Sequence, residues 1–503
     1  MPSLHRPLLA VATAALLSSC GAAPSPTSRD LSALDGVTSA ILSTPLTASA
    51  DARNHYLQGQ RELDLVRPFD ALEHFRAAVA ADSTFALGYL ALANTGNSFA
   101  DFKTNLVRAE QLATHASEAE QLQIQIARRG FENDVSGQLA AAQQLVDKNP
   151  LDARSYEQLA GIQSALNRNT DARASLEKAL QLAPRFLLAH TDLGNSYLLA
   201  EPKDFQKALQ HFQAAEQLAP NEPAMHDFLG DAHRALNDLP AARAEYARGH
   251  QLNPKDAGML QQRGHVNSFA GDYAAARADY DSAMAIGRGN EKGFFAPFRA
   301  YVSAYAGDPA SAITELNKLV ADADGMGIPE PRGIKINALT NVALIAIHTK
   351  DFYAADAALK ARAPLMMQQA EQSGSDAFRR AQQANIAYFE AWLAARRGDY
   401  SGAQIAANRM ASLVAPDANP RKMEPFHQLE GFIALYQGNA KDAAGHFAAG
   451  NLQDPYIEYN YAVALDDSGQ KDKAKAIFQA LAIYNFNSLG YALIRKDAQQ
   501  KAS

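Results

Sequence analysis

Cysteine is almost absent from this 503-residue chain, in which Cys20 is the only one. No intramolecular disulfide can form, and zinc sites built on cysteine pairs are excluded. Long hydrophobic runs are missing as well. No stretch of roughly 18 or more apolar residues follows the N-terminal region, so no internal membrane span is expected. Basic charge is not in excess, with 47 Lys and Arg against 54 Asp and Glu and a net charge of -7. Nucleic acid is therefore not an expected partner, because contacts to a phosphate backbone need concentrated positive charge. Catalytic signatures are lacking too. There is no glycine-rich phosphate loop ending in Lys-Ser/Thr, no His-Glu-x-x-His zinc pair and no Gly-x-Ser-x-Gly elbow. His226 and His233 share one predicted helix, but their spacing is wider than helical metal pairs use. No cofactor, no metal and no enzymatic activity are expected.

What is present begins with an N-terminal address. His5 and Arg6 precede a mostly apolar run from Pro7 to Leu17, of signal-peptide length and too short to span a bilayer. It leads into Leu17-Ser18-Ser19-Cys20, which resembles a bacterial lipobox. The resemblance implies lipidation at Cys20 after removal of a signal peptide at 1–20, with acyl chains that hold a soluble body on a membrane. Residues 21–48 open with a run of small residues and prolines and read as a flexible tether. Position 21 is Gly, not the Asp that retains such lipoproteins in the inner membrane. The resemblance thus implies an outer-membrane lipoprotein facing the periplasm.

The rest of the chain is organised by a spacing. Pro150, Pro184, Pro220 and Pro254 lie 34, 36 and 34 residues apart. Ala172, Ala208, Ala242 and Ala276 keep the same steps, as do Leu176, Phe212, Tyr246 and Tyr280. Gly194, Gly230 and Gly264 are in phase with them. Physical roles follow from these residue types. A small residue in a first helix lets a second helix approach closely, and the bulky residue fills the wedge between them. Proline ends the second helix because it has no amide to donate.

Small, aromatic and proline positions on this period resemble the tetratricopeptide repeat family, known for a 34-residue helix–turn–helix. The resemblance implies an all-α fold, a right-handed superhelical solenoid of about eleven antiparallel helix pairs. It is most regular over 150–290. One array is expected over 49–322 and a second over 333–503, the latter closed by a solvent-facing capping helix near 487–499. Two glycines and two prolines between 322 and 332 make 323–332 a possible hinge loop.

Such solenoids bind protein or peptide partners on the concave face lined by first helices. In the regular region that strip holds Arg154, Glu157, Thr191, Asn195, Asp227, Asp231, Arg234, Gln261, His265 and Ser268. Asn195, Asp227, Asp231, Arg234 and His265 are the candidate contacts, and the acidic run suits a ligand with some positive charge. Family members that clamp a peptide's terminal carboxylate use Lys and Asn one turn apart. Thr191 stands in place of that Lys, so the clamp is not expected. The expected function is a membrane-anchored scaffold of the cell envelope. The alternative is a regulatory or carrier subunit of a separately encoded envelope enzyme.

Replacing Cys20 with Ala should abolish incorporation of radiolabelled palmitate in growing cells. Unchanged labelling would remove the anchor.

Overall fold

The computed structural model describes residues 46–96, 99–132, 134–287, 291–328, 331–373, 375–417, 419 and 421–503. The expected signal peptide, Cys20 and most of the tether lie outside the described residues. Within them every regular element is helical, with twenty-five α-helices and two short 3-10 turns.

Twenty-four of the helices form twelve consecutive antiparallel pairs. The first three pairs are α1 (Ala50–Asp64) with α2 (Pro68–Ala81), α3 (Ala86–Thr95) with α4 (Phe99–Leu112), and α5 (Glu118–Phe131) with α6 (Val135–Lys148). Then come α7 (Ala153–Ala165) with α8 (Asn169–Leu182), α9 (Leu187–Leu199) with α10 (Phe205–Leu218), and α11 (Pro223–Ala235) with α12 (Leu239–Leu252). Next are α13 (Ala257–Ala270) with α14 (Tyr273–Ile286), α15 (Glu291–Ala306) with α16 (Pro309–Asp322), and α17 (Pro331–Thr349) with α18 (Phe352–Ser373). The last are α19 (Asp376–Arg397) with α20 (Tyr400–Val414), α21 (Glu424–Tyr436) with α22 (Ala440–Ala448), and α23 (Pro455–Asp467) with α24 (Lys471–Ala482). A single helix, α25 (Leu489–Ala502), closes the chain.

Local chemistry sets where each helix stops and restarts. Gly271 takes φ +80 after α13, a left-handed conformation that glycine adopts without a Cβ clash. The amide of Asp272 then donates to the carbonyl of Asn267 at 2.9 Å. The Asp272 carboxylate accepts from Ala275 N and caps α14, as N-cap aspartates do. Asn237 and Asp238 make the same turn between α11 and α12. At α5 a capping box joins Ser117 and Glu120.

Packing within a pair rests on one close approach. A Cβ built on Gly194 would lie 2.2 Å from the Phe212 ring, and one on Gly230 would lie 2.4 Å from Tyr246. Gly59 against Phe75, Gly264 against Tyr280 and Gly431 against Phe447 repeat the contact. All five rings are fully buried. The sequence expectation that a small residue admits the partner helix is thus realised in atomic detail.

The chain divides into two compact units, one reaching Met259 and one from Leu260 to Ser503. In the region of 323–332, read from the sequence as a possible hinge loop, Ala323, Ile328 and Ile334 are buried in one apolar cluster with Leu319 and Met326 packed on it. The terminal helix has one buried face, formed by Leu489, Tyr491, Ala492, Ile494 and Ala498. Arg495 Nη2 reaches the Phe269 carbonyl at 3.3 Å, and the Lys496 ammonium reaches that of Ala306 at 2.6 Å. Its apolar stripe packs on α15, α23 and α24, with Tyr491 also meeting Phe269 of α13, and the opposite face meets water.

Gly194→Ala is expected to lower the thermal midpoint, since overpacking a filled core costs about 1–3 kcal/mol. Gly161, in α7, has nothing within 4 Å of a built Cβ. There the same change should raise the midpoint slightly, by helix propensity worth about 1 kcal/mol. Circular-dichroism melts of the two variants would show opposite shifts.

Candidate functional site

First helices of the N-terminal unit bring distant carboxylates to one place. Arg154, in the first turn of α7, donates from Nη2 to both carboxylate oxygens of Asp64 at 2.9 and 2.8 Å. Asp64 is the last residue of α1. The guanidinium also stands 4.9 Å over the Phe186 ring. Asp152 caps α7 by accepting from Arg154 N at 3.2 Å and from Ser155 Oγ at 2.6 Å. Glu157, one turn along α7, and Asp192, on α9, both feel Asp64 and Arg154. Carboxylates from α1, α7 and α9 therefore act on one another here, and of the three Asp64 is the one paired with Arg154. Nearby, Arg67 donates from Nε to Glu222 Oε2 at 2.9 Å and from Nη1 to Glu62 at 3.2 Å. That contact ties the α1–α2 turn to the start of α11.

The excess of acid over base shows in the proton affinities. Burial pushes the Glu157 carboxyl up to about 7, repulsion from Asp64 and Asp152 adds to it, and Arg154 opposes it. Asp192 is held well above the carboxylate range by burial, then by Glu157 and Asp64, again against Arg154. Asp64 is raised by burial in spite of its ion pair. Glu157 and Asp192 are half-buried; protein surrounds them on most sides while water still reaches them. Such a recess favours a cation, because each ionised carboxylate that gains a positive partner recovers part of its desolvation cost.

The residues expected from sequence are placed unevenly. Asp231 accepts from Arg234 Nη2 at 2.5 Å and from the Tyr246 hydroxyl at 2.6 Å. Arg234 is buried, and Asn195 and Asp227 are half-buried. His265 lies in the C-terminal unit and is 4% exposed. Its Nδ1 contacts the Tyr280 hydroxyl at 2.6 Å and Asn487 Nδ2 at 2.7 Å, and its Nε2 meets Gln261 at 2.6 Å. Asp231 and His265 have a common reason for these contacts. Each follows the packing glycine of its repeat, where the buried tyrosine that fills the wedge needs a polar end for its hydroxyl. Sequence reasoning missed Asp64 and Asp192. Asp192 is adjacent to Thr191 and carries no mark of its own, and Asp64 meets Arg154 only across 90 residues.

Among the described residues no group of three or more His, Cys, Asp and Glu side chains is placed to hold a metal ion. No helix there is long and apolar enough to cross a membrane.

Residues 153–186, which span α7 and α8, match the family model of the tetratricopeptide repeat. Five other helix pairs of the chain pack through a glycine–aromatic contact. No curated protein matches the sequence. Solved structures with similarity include MamA from Desulfovibrio magneticus, 19% identical, covering 33% of this chain and 94% of that one at a TM-score of 0.31. YrrB, described as a TPR protein with an unusual peptide-binding site, is 22% identical, covering 35% and 90% at 0.28. A tetratricopeptide repeat protein from Parabacteroides merdae is 13% identical, covering 57% and 98% at 0.33.

The raised carboxyls give a signed prediction. Between the ordinary Glu value of 4.5 and about 7, the folded chain keeps a proton on Glu157 that the unfolded chain has lost. Stability therefore falls as pH rises through that window. Glu157→Gln should raise the thermal midpoint above pH 7 and leave it nearly unchanged below pH 4.5, as followed by melts across the range.

Proposed function

We propose that this protein is a scaffold, anchored in the cell envelope through Cys20, that holds a cationic segment of a protein partner against the acidic recess of its N-terminal unit. The observation that carries this reading is the Asp64–Arg154 ion pair with the raised carboxyls of Glu157 and Asp192 beside it. A lysine or arginine entering the recess replaces repulsion among carboxylates with attraction and lets Glu157 and Asp192 give up their protons. Binding is then stronger above pH 7 than at mildly acid pH. Asn195, three residues beyond Asp192 on α9, offers an amide to a peptide backbone laid over the same helix. Asp227 and Asp231 on α11 extend the acidic strip.

Anchoring serves the same end. A tether of small residues and prolines from a lipidated Cys20 keeps the recess near membrane-bound partners and raises their effective concentration without any added contact. Tetratricopeptide-like folds serve protein–protein interaction, and no catalytic step is assigned to this chain. The outer membrane is the proposed location, resting on the lipobox-like run Leu17-Ser18-Ser19-Cys20 and on Gly21.

A photo-crosslinking amino acid placed at Asn195 in intact cells should capture a protein that carries a basic segment. Capture should fall at least tenfold with Glu157→Lys and Asp192→Lys together, and remain with Glu177→Lys, an exposed position on α8. Capture that survives the double reversal in a folded variant would reject the recess as the site.

A further inference from the structure

Six of the 13 histidines fall into three pairs that occupy one repeat position. His55, His190 and His427 each lie four residues before a packing glycine, and His74, His211 and His446 each precede the ring that packs on it. The rings of each pair face one another across the two helices, with centroids 6.0, 5.6 and 5.9 Å apart. A fourth repeat keeps the arrangement with one substitution, since His226 Nδ1 meets Glu245 at 2.7 Å. Packing alone does not require imidazole at both positions. The α7–α8 repeat fills them with Tyr156 and Ser175.

The pair on α9 and α10 has the geometry of a ligand set. His190 Nδ1 and His211 Nδ1 are 3.3 Å apart. Two nitrogens bound to one tetrahedral zinc at about 2.0–2.1 Å are themselves about 3.3 Å apart. The other ring nitrogen of His190, Nε2, lies 3.1 Å from the Pro184 carbonyl. Donation there places the proton on Nε2 and leaves the Nδ1 lone pair directed at His211, as a carbonyl behind a metal-bound imidazole does. Tyr197 stacks on His211 with rings 5.9 Å apart and 6° from parallel, which fixes the ring plane. Both rings are half-buried, so an ion has access. Burial lowers the proton affinity of each histidine, that of His211 to about 4 with help from His190 and Lys207.

We infer that His190 and His211 form a two-imidazole site for a late first-row transition-metal dication such as Zn2+, with its remaining positions open to water or to a ligand from a partner. On binding, His211 takes the Nε2–H tautomer, so both Nδ1 atoms donate and no net proton is released. Lys207 is the opposing charge. Its ammonium is 5.1 Å from the Tyr197 ring centroid and 3.7 Å from the Asp204 carboxylate, so it weakens the site and its removal strengthens it.

The test uses the full chain purified without a histidine tag. Zn2+ binding is measured by calorimetry and Co2+ binding by its visible ligand-field absorption. His190→Gln and His211→Gln should each remove one equivalent of bound metal and the matching part of the Co2+ spectrum. Lys207→Gln should tighten that equivalent several-fold, and helical circular dichroism of every variant should match the parent. The other pairs are separated by a His55→Gln/His427→Gln background, in which the equivalent at His190 and His211 persists. Stoichiometry and affinity that are unchanged by His190→Gln, or no binding by the parent chain, would overturn the inference.

Discussion

The close approach of a glycine in one helix to an aromatic ring in the next is the contact on which the rest of the molecule depends. At Gly194 and Phe212 the ring occupies the space a Cβ would take. The two helix axes can then come nearer than side chains of ordinary size allow. The ring is in turn stacked on Phe228 of the following repeat, with centroids 5.1 Å apart. One contact therefore closes a hairpin and joins it to its neighbour. Where the ring is a tyrosine, its hydroxyl needs a partner, and the residue after the glycine supplies it. Asp231 and His265 are held in place for that reason.

The same geometry sets which side chains are left for function. Residues facing away from the glycine contact on first helices are free to differ from repeat to repeat. In the N-terminal unit they gather Asp64, Arg154, Glu157 and Asp192 into a recess with more acid than base. Carboxylates kept partly out of water in this way carry unrelieved desolvation, which a cationic partner relieves. Residues beside the contact, between the two helices of a hairpin, are a second set with fixed spacing. Imidazoles there meet across the hairpin with centroids 6.0, 5.6 and 5.9 Å apart, and the Nδ1 atoms of His190 and His211 come within 3.3 Å.

The second unit shows how far the pattern can be relaxed. Helices α18 and α19 run to 22 residues each, against 14 for α8 or α10, and Pro364 lies inside α18 without ending it. Arg362 is enclosed between α17, α18 and α19, hydrogen-bonded to Thr340 Oγ1 and stacked over Phe389. Burial lowers its proton affinity to about 10. In α17 to α19 packing of longer helices, and not the glycine contact, carries the hairpins.

The periodic residues by themselves determined the helix pairs, their turns and the rings that fill them. These features depend on contacts within about one repeat, so spacing along the chain reports them directly. Gly271-Asp272 and Gly398-Asp399 are turns because of their own backbone and capping chemistry. Contacts across many repeats left no such trace. Asp64 meets Arg154, and His265 meets Asn487, over separations of 90 and 222 residues. Only the tertiary structure decided that α25 docks its apolar stripe on α15, that Ala323 and Ile328 are buried in an apolar cluster, and that His265 is buried. The reason is that repeat spacing fixes how neighbours pack, whereas the meeting of distant repeats depends on small rotations that accumulate from one hairpin to the next.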